Sequence, residues 1–460
     1  MVEGPSRSNG HEPGGNPAVG EILAVGRRAV GSGRIVIEQD VRPGEPFLHW
    51  QSRAHSIEGI EKELTRIWAE PNLDTLIGGE PGRHIAARTS VMNLVVIAKR
   101  PEIGERSAAT IQHLTGKHPS RTMIVSAVDP DGPSWLDAQI QAHCVLPRPD
   151  APEICAEMIY LSAGGESGRH LDAIVAPLLI HDLPVTVWWP GEPPFGTDAA
   201  NDLFGMADRL VVDGSSWADD GLGRLRQLAE LVDRTGLSIR DFALVRQSRW
   251  REAIASIFDL HEFMPFLSSL RRIAVAYATH DETGAPGSTN LVKPVYHVAW
   301  LASRLGLKVA RPLGPVTGHE RGVAARATGA RRGSTAKAKP ALSRGLGAAL
   351  SDGRSEVSVV VRPVASPMPA GTTLRVELLA ERRGSELRAD VTAVADSVHV
   401  RVWLDGIESL DRTFKAPRRT DVDLLAEAIE VGGRDPISDG SVRMAAALAG
   451  DAAVPGRAAR

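Results

Sequence analysis

The stretch His170-Leu171-Asp172-Ala173-Ile174-Val175-Ala176-Pro177-Leu178-Leu179-Ile180-His181-Asp182-Leu183-Pro184-Val185-Thr186-Val187-Trp188-Trp189-Pro190-Gly191-Glu192-Pro193-Pro194 reads as one helix running straight into one buried strand. Leu171, Ile174, Val175, Leu178 and Leu179 recur at helical spacing, so one face is apolar and has to pack on something. Pro184 disfavours helical backbone at the residue before it, which makes His181-Asp182-Leu183 a short turn. Val185 to Trp189 is then a continuous apolar run closed by Pro190 and Gly191, the pattern of a strand covered on both faces. A second unit follows, helical from Ala199 to Met206 and extended over Arg209 to Asp213. Strand, helix, strand, helix implies a parallel sheet.

Working towards the N-terminus, Arg121 to Val125 and Arg88 to Ile97 read as strands with a helix, Ile103 to Leu114, between them, a right-handed βαβ unit. Trp135 to Leu146 and Cys155 to Leu161 read as a hairpin that makes the sheet mixed. A surface helix is expected over His55 to Ala69. Towards the C-terminus, helices are expected at Leu222 to Val232, at Ser248 to Phe258 with Ser248 as N-cap, and at Leu291 to Leu305 despite Pro294. Arg272 to Tyr277 and Leu307 to Pro312 read as strands. Beyond residue 353 the pattern alternates: Val357, Val359, Val361; Leu374, Val376, Leu378; Leu387, Ala389, Val391; Val398, Val400, Val402. Period two predicts an antiparallel meander with one wet face, and Asp421 to Ile429 and Ser441 to Leu448 add two closing helices.

The fold class expected is therefore α/β, a mixed and largely parallel sheet with flanking helices, followed by a smaller C-terminal α+β unit with an antiparallel meander. The divisions are a disordered tail at 1–20, an α/β domain at 21–316, a basic low-complexity linker or insert at 317–352, a C-terminal domain at 353–449 and a tail at 450–460. Net charge is −3, which offers no overall excess to draw the chain to nucleic acid or an anionic membrane. No apolar run reaches the ~18 residues of a membrane helix, and no signal peptide opens the chain, so a cytoplasmic location is expected. Cys144 and Cys155 are the only cysteines and read as a buried pair of structural thiols.

Catalytic templates fail on spacing. Gly116-Lys117 is followed by His118 and has Ile111 where a phosphate loop needs its first glycine. Gly221-Leu222-Gly223 has Arg226 where a dinucleotide fingerprint needs its third, and Ser167 is followed two residues later by Arg169 rather than the glycine of a nucleophile elbow. No catalytic residue, cofactor or metal site is assigned. The best small-ligand candidate is the loop with Gly164, Gly165, Ser167, Gly168, Arg169 and His170, a strand-to-helix connection whose free amides would favour an anion. Trp188, Trp189 and Glu192 stand where the carboxyl end of a strand meets a loop, a partner or ligand surface in such folds. Side-chain alternation points the two indoles to opposite faces, so at least one belongs to the core.

Four strings, Leu178 to Val185, Trp188 to Pro194, Ala207 to Asp213 and Ser248-Arg249-Trp250-Arg251-Glu252, resemble the glucose-6-phosphate dehydrogenase assembly protein family, OpcA. Cys155-Ala156-Glu157 and Gly433-Arg434-Asp435-Pro436 resemble further family stretches, and the likeness runs over roughly Arg88 to Pro315 and Glu356 to Leu448. The resemblance implies a non-catalytic assembly factor or allosteric activator whose partner is glucose-6-phosphate dehydrogenase, supporting the oxidative pentose phosphate pathway. It adds Trp250 and Arg251 to the partner surface, and Asp208, Arg209 and Asp213 as signature positions that also read as structural ion pairs. Photosynthetic members are linked to thiol control; with two cysteines that is not carried over, and a reductant is expected to leave activation unchanged. Two other readings stay open: a sugar-phosphate-binding enzyme or sensor using the Gly164 to His170 loop, and a nucleic-acid adaptor using the basic stretch.

Overall fold

The computed structural model describes residues 34–35, 42–69, 72–77, 80–128, 131–148, 151–280, 289–316, 345–430 and 432–450. The tail expected at 1–20 and most of the basic stretch lie outside them. Two sheets form the frame. The first contains β1 (Arg34–Ile35), β2 (Pro46–Ala54), β3 (Asn72–Ile77), β4 (Glu80–Arg88), β5 (Met92–Ile97), β6 (Ser120–Ala127), β7 (Trp135–Val145), β8 (Glu153–Gly164), β9 (Val185–Trp189), β10 (Arg209–Val212) and β11 (Ser238–Asp241). Its order is β1-β2-β7-β8-β6-β5-β9-β10-β11, with β4 also on β8 and β3 on β4. From β8 to β11 neighbours run parallel, whereas β1, β2, β7 and β8 pair antiparallel. The expected mixed, largely parallel sheet is present, with the βαβ unit β5, α2 (Pro101–Gln112), β6 and the β7–β8 hairpin in their expected places.

The helix expected from Leu171 to Leu179 is broken. Short helices α3 (Gly165–Arg169) and α4 (Leu171–Val175) are separated by His170, whose backbone is not helical, and a 3-10 turn at Ala176–Leu178 follows because Pro177 has no amide hydrogen to continue the ladder. The turn into β9 puts Asp182 at φ 65°, a conformation that a short polar side chain tolerates. Asn93, wholly buried at the edge of β5, clamps this turn: its amide donates to the Ile180 and Leu183 carbonyls at 3.0 and 3.2 Å and accepts from the Ile180 amide at 2.8 Å. Helices α1 (Ile57–Ala69), α5 (Asp198–Gly205), α6 (Leu222–Thr235) and α7 (Phe242–Val245) complete this half, and α8 (Ser248–Phe258) packs on the second sheet.

The second sheet holds β12 (Leu270–Thr279), β13 (Lys308–Pro315), β14 (Leu346–Ser351), β15 (Glu356–Ala365), β16 (Thr373–Arg382), β17 (Ser385–Val394), β18 (Ser397–Leu404) and β19 (Ile407–Lys415). Its order is β13-β14-β15-β12-β16-β17-β18-β19, with only β12 and β15 parallel. The meander is as expected, but the division at 316/353 cuts through this sheet: β12, from the earlier part of the chain, lies between β15 and β16. Residues 317–344 fall between β13 and β14, which pair antiparallel, and the Val316 amide donates to the Gly345 carbonyl at 3.2 Å. The basic stretch is thus an insertion in a hairpin, shorter than expected by β14, whose buried Ala348 and Ala349 read as low complexity in sequence. Val359, Val376, Ala389 and Val400 join Val295 and Val298 of α9 (Val292–Arg304) in one core that continues into the first sheet. The last helices turn back: α10 (Asp421–Glu430) packs on α2 and α7, and α11 (Pro436–Ala449) on α6, α9 and β13.

Candidate functional site

In a parallel sheet the carboxyl ends of the strands are where ligands gather, and here those ends are filled by the chain's own side chains. Trp188 and Trp189 project to opposite faces, as alternation requires, but both are buried, their rings 5.9 Å from Phe242 and Phe204 respectively. Neither belongs to an exposed surface, which corrects that expectation: β9 is central, and helices cover both of its faces. Glu192 accepts from the Ala218 amide at 3.0 Å and ion-pairs with Arg224, closing the Pro-rich loop. Phe195 from that loop packs edge-on against Trp217.

The ends of β10 and β11 carry a linked polar cluster. Asp213 accepts from Arg246 at 2.7 Å and from the Ser215 hydroxyl at 2.6 Å. Asp241, the last residue of β11, accepts from the Gly214 amide at 2.9 Å, the Ala243 amide at 2.8 Å and the Tyr296 hydroxyl at 2.8 Å. Burial, followed by the charge of Asp213, pushes the Asp241 carboxyl up to about 7 against those three donors. Asn290 donates to the Gly214 and Trp217 carbonyls and fixes the same loop. Every donor and acceptor here serves the fold: the cluster joins β10, β11, α7 and α9. Asp241 and Tyr296 were not singled out from sequence, where a single Asp at the end of a short strand carries no periodic signal.

The other signature positions are structural. Asp208 accepts from the Val185 amide at 2.8 Å; Arg209 donates to the Ile429 carbonyl at 3.1 Å. Arg240 donates to the Gly433 carbonyl at 3.4 Å and faces Asp435, and Arg434 donates to the Gly236 carbonyl at 3.0 Å. Gly433-Arg434-Asp435-Pro436 is therefore a helix start clasped to β11, with Asp435 as N-cap accepting from the Ile437 amide and Pro436 in the first turn of α11. Arg251 donates to the Leu244 carbonyl, and Trp250 lies 5.2 Å from the ring of buried His297, so both help to hold α8 while remaining partly exposed. Gln247, not Ser248, precedes the first turn of α8, and the Ser248 hydroxyl accepts from Arg419. Glu157 of the Cys155-Ala156-Glu157 string is buried against Arg121 and the Trp68 indole, both at 2.5 Å.

The expected anion loop is occupied from within. A Cβ at Gly164 would meet the Trp135 indole at 2.1 Å and one at Gly165 the Gly132 carbonyl at 2.6 Å, so residues 132–135 fill the space before α3. Ser134 accepts the Glu166 amide, Arg169 pairs with Asp131, and His170 sits 3.1 Å from Glu166. Those side chains are committed to the loop's own acids, which disfavour an incoming anion.

What remains available is the outward face of the second sheet. Alternate positions opposite the core carry Arg272, Arg375 and Glu377, then Arg388 and Asp390, then His399, Arg401 and Trp403. Arg375 reaches Asp390 at 2.5 Å and Glu377 at 3.0 Å; Arg388 and Arg401 each stack 5.1 Å from the Trp403 ring. Arg375, Arg388, His399, Arg401 and Trp403 are partly exposed, whereas Arg272 and Asp390 are buried beneath them, and Arg and Trp are the residue types enriched where proteins meet. Sequence alternation marked this face as wet without resolving its charge network. A shallow cleft of about 410 Å³ between the 264–270 turn and β15 is lined by Met264, Leu267, Leu305 and Val357, with Arg304 and Asp352 at its rim.

Two family models match successive parts of the chain: residues 111–230 match the N-terminal domain, and residues 237–440 the C-terminal domain, of a "glucose-6-phosphate dehydrogenase subunit". No curated protein matches significantly. Among solved structures, a 3-ketoreductase from Actinomadura kijaniata is 12% identical over 78% of this chain and 95% of its own, at a TM-score of 0.39. An inositol dehydrogenase homologue from Azotobacter vinelandii is 11% identical over 79% and 87%, at 0.38, and the transcriptional regulator Gal80p from Kluyveromyces lactis 10% over 78% and 89%, at 0.38. Likeness at this level bears on neither activity nor ligand. The two family models span both sheets, and the chain belongs to the glucose-6-phosphate dehydrogenase assembly protein family, OpcA.

Proposed function

We propose that the chain is a non-catalytic protein that binds glucose-6-phosphate dehydrogenase and stabilises its active assembly, and that the charged outward face of the second sheet makes the contact. The first part rests on the match of both halves to family models of a dehydrogenase subunit. Support also comes from the strand ends, where Asp213, Asp241, Trp188 and Trp189 are consumed by packing. To act as an activator the chain must bind the active state of the enzyme more tightly than the inactive one. For the second part, the support is the Arg388–Trp403–Arg401 stack inside an ion-pair layer, a rigid and amphipathic surface.

The test is the initial rate of the same organism's dehydrogenase across substrate concentrations, with and without the chain, alongside elution volume. A changed rate curve with co-elution supports the proposal. Sugar-phosphate binding by the chain alone, with neither rate change nor co-elution, would favour a sensor instead.

A further inference from the structure

Cys144 of β7 and Cys155 of β8 face each other in register and are joined as a disulfide, their Cα atoms 4.0 Å apart. The expectation of a buried pair holds, but the two sulfurs are bonded rather than free. That bond is accounted for by the hairpin itself. The charges on the outward face of the second sheet, in contrast, follow a pattern that packing does not require.

Strand register lays that face out in three ranks. The first runs across the sheet through Arg362, Ala276, Arg375, Thr392 and His399. The second runs through Val360, Ala274, Glu377, Asp390, Arg401 and Asp411. The third runs through Ser358, Arg272, Leu379, Arg388 and Trp403. Two ranks that carry arginine and no acid thus enclose the rank that carries the carboxylates. Successive ranks are two residues apart along a strand, ~7 Å, so the outer ranks lie ~13 Å apart. From β15 to β18 the arginines extend over four inter-strand steps, ~19 Å.

The carboxylates do not neutralise these arginines. Glu377 is shared by Arg375 at 3.0 Å and by Arg272 and Arg388, each at 3.7 Å, and Asp390 accepts from Arg375 at 2.5 Å. Asp411 is held by His399 at 2.7 Å. Arg362 makes neither an ion pair nor a hydrogen bond among the described residues. Burial works against the Arg272 charge, Glu377 sustains it, and Arg362, Arg375 and Arg388 oppose it, so cations outweigh anions around it. The Nε atoms of Arg272, Arg388 and Arg401, Nη1 of Arg272 and the Ser358 hydroxyl are buried without a hydrogen-bond partner. Unmet donors are costly, and an acceptor arriving from outside relieves them.

Taking the dehydrogenase as partner, on the reading proposed above, we infer that this face receives two rows of carboxylates from it, ~13 Å apart, with no acid opposite the middle rank. A single small anion covers one or two guanidiniums, not a face of this width. A nucleic-acid backbone is long enough but negative throughout, and Glu377, Asp390 and Asp411 stand in its path. A folded protein surface can answer both signs, and the Arg388–Trp403–Arg401 stack offers the contacts that protein interfaces favour.

The affinity of the full chain for the same organism's dehydrogenase is measured between about 50 and about 300 mM salt. A fall of at least ~10-fold over that range is expected. Arg362→Glu should weaken binding ~10-fold or more at the low end, whereas Arg148→Glu, an exposed reversal in the β7–β8 turn, should change it by less than ~2-fold. Arg362→Lys presents an amine to a carbodiimide, and the resulting amide crosslink should map to an aspartate or glutamate of the dehydrogenase. Binding indifferent either to salt or to Arg362→Glu overturns the charge pattern and leaves the partner standing. No binding by the wild type at low salt overturns both. Duplex DNA held as tightly as the dehydrogenase overturns the pattern in favour of a phosphate backbone. Arg362 is partly exposed, its variants are checked by melting temperature, and the wild-type salt curve needs no variant at all.

Discussion

Replacing Asp241 by asparagine isolates the most perturbed carboxyl of the polar cluster. Its rise from the ordinary 3.8 to about 7 is caused first by burial and then by the charge of Asp213. The folded protein therefore holds a proton that the unfolded chain releases, so this group's contribution to stability is full below pH ~4 and is lost as pH climbs to ~7. A difference of roughly three pH units corresponds to on the order of 4 kcal/mol. Asparagine keeps an oxygen for the Gly214 and Ala243 amides, and its NH₂ can donate to the Tyr296 hydroxyl, which reverses that bond. Buried His49, His143 and His297, all pushed down by burial, act with the opposite sign, losing stability as pH falls from ~6.5 towards ~4. The wild-type curve alone is thus a compromise, and the informative quantity is the difference between the two proteins. Urea unfolding at several pH values between 4 and 8 should show the wild type losing ~4 kcal/mol relative to Asp241→Asn across that interval. Parallel curves would refute the assignment.

Asn93→Ala removes three hydrogen bonds that hold the turn into β9 and leaves buried carbonyls without a donor; a loss of ~2–4 kcal/mol in chemical unfolding is expected. Trp403→Ala and Arg388→Glu should leave the melting temperature within a few degrees yet weaken co-elution with the dehydrogenase, ~10-fold or more per substitution if the stack is central to the contact; unchanged affinity in both would move the contact elsewhere. Replacing 317–344 by a turn of ~4 residues should preserve the fold and stabilise it by no more than ~2 kcal/mol, the difference in loop-closure entropy, as read by calorimetry.

Regular periodicity carried most of the architecture. Val185 to Trp189 could be placed as a strand by its continuous apolar run, and Val398, Val400 and Val402 by their period of two. Long-range pairing left no such trace. Nothing in Arg272 to Tyr277 tells that β12 will be flanked by β15 and β16, and the exposed edge strand β19 has too few apolar positions to signal itself. Sites were less legible still. Trp188 and Trp189 looked like a surface because a proline-rich loop follows them, and only the tertiary packing of Phe204 and Phe242 shows where the indoles go. The Cys144–Cys155 bond depends on hairpin register, which an eleven-residue separation does not specify.

The position of β12 sets a timetable for synthesis. It leaves the ribosome 86 residues before β15 is complete, and β16 comes later still. At ~5–20 residues per second the nascent chain spends several seconds with both long edges of β12 unpaired, a template that invites wrong partners. Slow stretches of message after codon 280 would lengthen that exposure, so yield in expression, rather than stability once folded, is where synonymous changes in this segment should be felt.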